Sequence, residues 1–403
     1  MKFLIVEQDL KVSGTSQGII SRSFLGKLRK AYPESLIDVH YIKGGDSEDK
    51  LDLIPVNSIV EHKVDTKVPL LIKYVNKLYW RIFNSSLADE WILRQYTRII
   101  AKIEYEKYDH ILIRSAGLGH ETFLAMQDLP ILKKAILIFH DPFPVSWYVG
   151  TKLRPTRLDF YRLAKIMKVV EQAKLCATTA SYMSHDLQHL YGSKNPFLTL
   201  SHQYDPSVFS LTKPTNLRVK EKPVSISYHG ALMFGRNIEN LIKAYSELIE
   251  SDTLYLENTE LILRVKGNEV SRFMEMYGDA HNIKFLNTVD FSTSSNEQIY
   301  QTDIVIILEN GPYYCNILVG KAPFLASINK SVLCISPKKS ELRNIVSDET
   351  CIADMGDVDE IKSKLKKLID IELTNGEPVK PFGDYFSQEN FKVQLDEILN
   401  FTN

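Results

Sequence analysis

The chain has 403 residues, 44% of them apolar and 25% charged, with a formal net charge of −1. This is the composition of a folded globular protein, too long for one ordinary core, and it predicts two domains of roughly 200 residues each. The near-neutral balance excludes nucleic acid as an expected partner, and no apolar run reaches the ~20 residues of a bilayer-spanning helix. In chain order, KFLIVEQ (2–8) reads as a first core strand, because polar residues follow too soon for a signal peptide. GTSQGIISRSFLGKLRKAY (14–32) is a glycine-bearing loop entering a helix, and LIDVHYI (36–42) is a second strand. A long basic, aromatic helical region precedes two further strands, YDHILIRS (108–115) and AILIFHD (135–141). LCATTAS (175–181) and FLTLSHQ (197–203) follow, with a helix between them. Residues 205–223 are polar, carry prolines and lack a period, which marks a linker.

The second half alternates afresh. VSISYHG, LILRVKG, NIKFLNT, DIVIILE and SVLCIS read as strands separated by helices, with a helix at 357–370 and an amphipathic one at 388–401. Alternation of this kind predicts parallel sheets with right-handed crossovers. The expected fold is therefore α/β, two Rossmann-like doubly wound domains facing a cleft, with ligands at the carboxyl ends of the strands. The four cysteines, Cys176, Cys315, Cys334 and Cys351, have no paired metal spacing and read as buried thiols.

Residues 226–267 carry the strongest chemical signal. A β-branched strand ends at Gly230, a loop carries Arg236 into a helix, and a second strand ends at Lys266 and Gly267. Backbone amides at such a helix start meet an anion, and an arginine there can hold a diphosphate bidentately. Lys321 offers a second cation of the same kind. Glu309 ends the apolar strand DIVIILE, and His140 ends AILIFH ahead of a proline-stiffened turn, so each is placed at a strand's carboxyl edge. The GTSQG loop, with Gly14 and Gly18, lacks the spacing of a dinucleotide fingerprint but can approach a phosphate.

The segment 224–346 resembles the donor domain of GT-B glycosyltransferases, in particular family 4 and its relatives. Gly230, Arg236, Gly267, Asp303 and the run Lys321, Pro323, Leu325, Ala326, Ser327, Lys330 fall in the family's order and spacing. His140-Asp141-Pro142-Phe143-Pro144 resembles the segment whose histidine lies near the transferred sugar. The resemblance implies an N-terminal acceptor-side domain (1–208), a nucleotide-sugar-binding domain (209–384) and a terminal helix (385–403) crossing back to the first. It further implies a glycosyltransferase of hexosyltransferase type, retaining and metal-independent, with no cofactor and a nucleotide sugar as co-substrate. His140 and Glu309 would be catalytic, and Gly14, Gly18, Gly230, Arg236, Lys266, Gly267 and Lys321 would bind the donor. One position departs from the family: Phe324 stands where a glutamate usually holds the donor's ribose.

Two stretches are strongly basic. Residues 67–83 hold Lys67, Lys73, Lys77 and Arg81 among aromatics and no acid, and residues 152–168 hold six basic residues against Asp159. Lys73, Lys77 and Arg81 share one helical face, which suits an anionic membrane surface. The expected partners are a nucleotide sugar, a glycan or lipid-linked acceptor and such a membrane, and the expected place is cytoplasmic, peripheral on the inner face. Two alternatives share the fold. One is a binding module without catalysis that supports a partner transferase, as Phe324 would favour. The other is a nucleotide-sugar epimerase, whose carboxylate pair and histidine the sequence does not assemble.

Overall fold

The computed structural model describes residues 1–45, 49–116, 119–144, 154–211, 217–278, 280 and 282–401. They form two compact units, the first comprising the described residues up to 208 together with 388–401, the second the rest.

The first unit opens with β1 (Lys2–Glu7), α1 (Ser16–Ala31), β2 (Leu36–Lys43), β3 (Ser58–Lys63), α2 (Leu70–Phe83) and α3 (Leu87–Ile100). It continues with β4 (His110–Arg114), α4 (Glu121–Leu124), β5 (Ala135–Phe139), α5 (Arg157–Gln172), β6 (Leu175–Thr178), α6 (Ser181–Tyr191) and β7 (Phe197–Thr199). All seven strands pair in parallel in the order β3-β2-β1-β4-β5-β6-β7. Helices cover both faces of such a sheet, so its inner strands are continuous apolar runs, as FLIV and AILIF are, rather than alternating ones. Thr15 caps α1 by accepting the Gly18 amide at 3.3 Å, and Arg29 and Lys30 lie in its last turn, favourably for the helix dipole.

The second unit runs β8 (Val224–Ala231), α7 (Glu239–Ser251), α8 (Thr253–Asn258), β9 (Thr259–Lys266), α9 (Val270–Tyr277), β10 (Ile283–Leu286) and α10 (Phe291–Tyr300). Then come β11 (Ile304–Leu308), β12 (Tyr314–Cys315), α11 (Ala322–Ser327), β13 (Ser331–Ser336), β14 (Lys339–Ser340), α12 (Glu341–Ile345), β15 (Ile352–Asp354) and α13 (Val358–Leu373). Its main sheet has the order β10-β9-β8-β11-β13-β15, also wholly parallel. Both sheets therefore grow outward from their first strand in two directions. The reversal leaves a crevice beside that strand's carboxyl end, the place where ligands bind in open α/β sheets.

The terminal helix α14 (Gln388–Leu399) belongs to the first unit. Phe391, Leu395, Ile398 and Leu399, spaced at i, i+4, i+7 and i+8, are buried in that unit's core, with Phe391 edge-on to Phe24 at 5.9 Å. Gln394 accepts both the amide and the hydroxyl of Ser201 at 3.0 Å. All four cysteines are buried and free. Among the described residues no helix is long and apolar enough to cross a membrane.

Candidate functional site

In the second unit the reversal lies between β8 and β11. Gly230 and Ala231 end β8 there, in register with Val265 and Lys266 of β9, and the Leu232 amide donates to the Lys266 carbonyl at 2.8 Å. Gly230 leaves space for a cation: a Cβ at that position would lie 2.6 Å from Lys321 Nζ. Lys321 precedes α11, its ammonium donates to the His229 carbonyl, and it sits 4.3 Å from the centroid of the Tyr228 ring. Burial, with the neighbouring Arg236 charge adding to it, pushes the Lys321 pKa well below the usual lysine value.

Arg236 approaches from the loop between β8 and α7. It lies before the helix rather than opening it, because Asn237 accepts the Glu239 amide at 2.8 Å and delays the helix to Glu239. Its guanidinium donates to Asn310 Oδ1 at 3.0 Å and to the Ala231 carbonyl at 3.3 Å. Among the described residues neither Arg236 nor Lys321 makes a salt bridge. Two cations thus converge on Tyr228 at a sheet's carboxyl edge without a carboxylate between them. Such an arrangement is electrostatically incomplete and complementary to an anion. Gly267 closes the neighbouring edge with φ +149, while Lys266 is exposed at the end of β9.

Glu309 follows β11 but turns inward. It is fully buried, and its Oε1 accepts the Leu342 amide of α12 at 3.2 Å. Burial raises its pKa to about 7, opposed by the nearby Ser340 and Ser336 hydroxyls and the Leu342 amide. The geometry makes Glu309 a holder of α12 rather than a group open to a ligand. A consequence is testable. An acid whose folded pKa exceeds its unfolded value of 4.5 stabilises least once pH has risen through the folded value. Glu309→Gln keeps the acceptor and removes the buried charge. It should leave stability unchanged near pH 4.5 and raise it by about 3 kcal/mol at pH 8. Melting curves of both proteins across that range decide it, and a pH-independent difference would remove the assignment.

Phe324 is a core residue of α11, edge-on to Phe291 at 6.1 Å. No carboxylate occupies its place, so any ribose contact must come from elsewhere.

In the first unit the reversal lies between β1 and β4, and a second polar cluster occupies it. Glu7 ends β1 and Arg114 ends β4; Arg114 Nε is 2.6 Å from Glu7 Oε1, and Ser21 Oγ donates to Oε2 at 3.0 Å. Burial, the dominant effect, brings the Glu7 pKa up to about 7 against the pull of Arg114. His140, just past β5, donates its amide to Ser115 Oγ at 3.1 Å and stacks on His202 at 5.7 Å. Its ring is buried, and neither ring nitrogen has a hydrogen-bond partner among the described residues. Burial, then the Arg114 charge, lowers its pKa well below the usual value, so the imidazole is neutral at pH 7. Gly18 lies in the first turn of α1, where a Cβ would meet the Lys11 carbonyl at 2.5 Å; Gly14, at φ +88, makes the turn before it.

The structure thus gathers Gly230, Arg236, Lys266, Gly267 and Lys321 at one sheet edge and His140, Gly14 and Gly18 at the edge of the other sheet. Asn310 and Tyr228 were not expected from sequence, nor was the pair of Glu7 and Arg114. The pair had a signal, since each is a charged residue ending an apolar strand, the pattern that drew attention to Glu309.

No protein-family model matches the chain, and no curated protein matches its sequence. Solved structures do. Sucrose-phosphate synthase from Thermosynechococcus elongatus aligns with a TM-score of 0.63 at 13% identity, covering 99% of this chain and 98% of that one. The OtsA apo structure aligns at 0.59 and 12%, over 100% of both chains. UDP-GlcNAc 2-epimerase from Neisseria meningitidis, bound to UDP-GlcNAc, aligns at 0.55 and 13%, over 99% of both. These likenesses establish the fold: two Rossmann-like α/β domains of the GT-B class.

Proposed function

We propose that the chain is a glycosyltransferase that moves a sugar from a nucleotide-activated donor to a glycan or lipid-linked acceptor, with retention and without a divalent metal. One observation carries this reading. Lys321 is half-buried beside Arg236, with no carboxylate partner for either among the described residues, at the reversal point of the second sheet. A diphosphate supplies the missing charge, and the two cations do for it what a metal ion would otherwise do. The resemblance to family 4 in residues 224–346 and the GT-B fold agree with a nucleotide sugar as the ligand.

In the transfer, the bond from the anomeric carbon to the diphosphate oxygen breaks and the acceptor oxygen bonds to that carbon. The acceptor proton passes to the departing diphosphate, whose growing charge Arg236 and Lys321 stabilise. His140, neutral and with ring nitrogens that have no hydrogen-bond partner among the described residues, is suited to hold a sugar hydroxyl rather than to act as a charged acid. Glu309 serves by fixing α12.

The epimerase alternative has its own support, because the fold is shared with a structure that binds UDP-GlcNAc. Incubation with a panel of nucleotide sugars, with and without membrane-derived acceptors, separates the readings. Acceptor-dependent release of nucleoside diphosphate supports the transferase. A new sugar epimer without release supports the epimerase, and binding without either product supports a module that assists a partner enzyme.

A further inference from the structure

Helix α2 is amphipathic, yet none of its residues is buried. One side rests on the first unit. Trp80 meets the Tyr161 ring edge-on at 5.9 Å, and Asn76 Oδ1 accepts the Ala88 amide at 3.3 Å. Away from this side run Leu71, Tyr74, Val75, Leu78 and Ile82, at the i, i+3, i+4, i+7 and i+11 spacing of a single stripe. All five are exposed, Leu71 at 74%, Leu78 at 62% and Ile82 at 63%. A contiguous apolar stripe of this kind is uncommon on a free surface and marks an interface.

The charges beside the stripe say what kind of interface. Arg81 lies beside the stripe, with Lys77 and then Lys73 further round the helix; all three are exposed and make no ion pair among the described residues. Arg81 and Arg157 flank a hollow between α2 and α5 lined by Trp80, Phe160 and Tyr161. No acidic residue occurs anywhere in 67–83. The second basic stretch contributes less than its composition promised. Arg162 is engaged by Asp89, Lys165 by Glu90, and Lys152 lies outside the described residues.

The geometry points to α2 as an anchor that inserts its apolar stripe into the interfacial layer of an anionic bilayer, with Arg81 and Arg157 receiving a lipid phosphate. A protruding stripe on one helix, with aromatic side chains and cations beside it, fits a surface that deforms around it and is negatively charged. A second copy of this chain fits less well, since pairing through this face would leave the unpaired cations of α2, Arg81 first among them, without an acidic partner anywhere in 67–83. The inference goes beyond the transferase reading and needs neither donor nor transfer, so each can fail without the other.

The test is co-sedimentation of the full chain with vesicles of phosphatidylcholine alone or mixed with phosphatidylglycerol, at low and high salt. Two variants accompany it, Leu71→Ser/Leu78→Ser/Ile82→Ser and Lys73→Ser/Lys77→Ser/Arg81→Ser. All six positions are exposed, so melting temperatures should stay at the wild-type value. The wild type should bind the anionic vesicles only, and more weakly at high salt. The basic triple variant should bind about a hundredfold more weakly, and the apolar variant should lose binding even at low salt. The inference is overturned if the wild type stays in the supernatant at low salt, or if the apolar variant binds as well as the wild type. It is equally overturned if light scattering shows a dimer that the apolar variant converts to monomer while vesicles capture neither.

Discussion

Replacing Arg22 by methionine should lower the stability of the first unit by about 3–5 kcal/mol, a large part of the 5–15 kcal/mol that holds an ordinary domain together. Arg22 lies in α1 with no exposed surface. Its guanidinium donates to the Leu10 carbonyl at 3.0 Å, to Lys50 at 2.9 Å and to Val208 at 2.8 and 3.1 Å, and also to the Asp49 carbonyl. One side chain thereby ties α1 to the loop after β1, to the segment after β2 and to Val208, where the chain leaves the unit. Methionine fills much of the volume and satisfies none of these acceptors, each of which costs about 1–3 kcal/mol when left buried and unpaired. Lysine at this position should recover only part of the loss, because a point charge cannot span the fork of carbonyls. Denaturant titration of the three proteins checks this, and an unchanged midpoint for Arg22→Met would show that the segments are held by something else.

Lys321→Met should act in opposite directions on stability and on binding. Without a ligand, the lysine is half-buried beside another cation, and its removal should raise the melting temperature or leave it unchanged. With a nucleoside diphosphate, the same change should cost about 2–5 kcal/mol of affinity, the usual loss when one member of a buried charge pair is truncated. A lysine with a merely structural part in the fold would lower the melting temperature instead. The depressed pKa adds a second signature. A diphosphate favours the charged form, so binding should weaken as pH rises toward the usual lysine range. Calorimetric titrations at several pH values read that weakening, and an affinity that does not fall as pH rises would show that the Lys321 charge takes no part.

The strands were legible in the sequence because a parallel sheet covered on both faces demands uninterrupted apolar runs, and β1, β5, β8 and β11 supply them. β3 was not recognised, since SIVEHK at the sheet's edge is largely exposed and carries no such run. The apolar face of α14 could be read from spacing alone. In the candidate site, Gly230 and Arg236 could be named because cations and glycines after strands have a phosphate-binding logic, and Lys321 because its run resembles that of family 4. Tyr228 beneath Lys321 could not, because an aromatic in a strand is ordinarily core and only the fold brings the ammonium over its ring. Glu309 shows a related limit: sequence places it at the carboxyl edge but not which way its side chain turns, and the structure turns it toward the Leu342 amide of α12. Helix α2 divides similarly. Its basic stripe was visible as a four-residue recurrence, whereas an apolar residue in a sequence does not reveal whether anything covers it.

Titrating uridine, adenosine, guanosine and cytidine diphosphates calorimetrically into the wild type, Arg236→Ala and Lys321→Met is the most direct test of the central claim, that the second unit holds a diphosphate between Arg236 and Lys321. At least one of the four should bind the wild type, and each substitution should weaken that ligand by at least about 1.5–3 kcal/mol, the range for a lost charge-assisted hydrogen bond. Binding of undiminished affinity to both variants, or no binding of any of the four to the wild type, would contradict it.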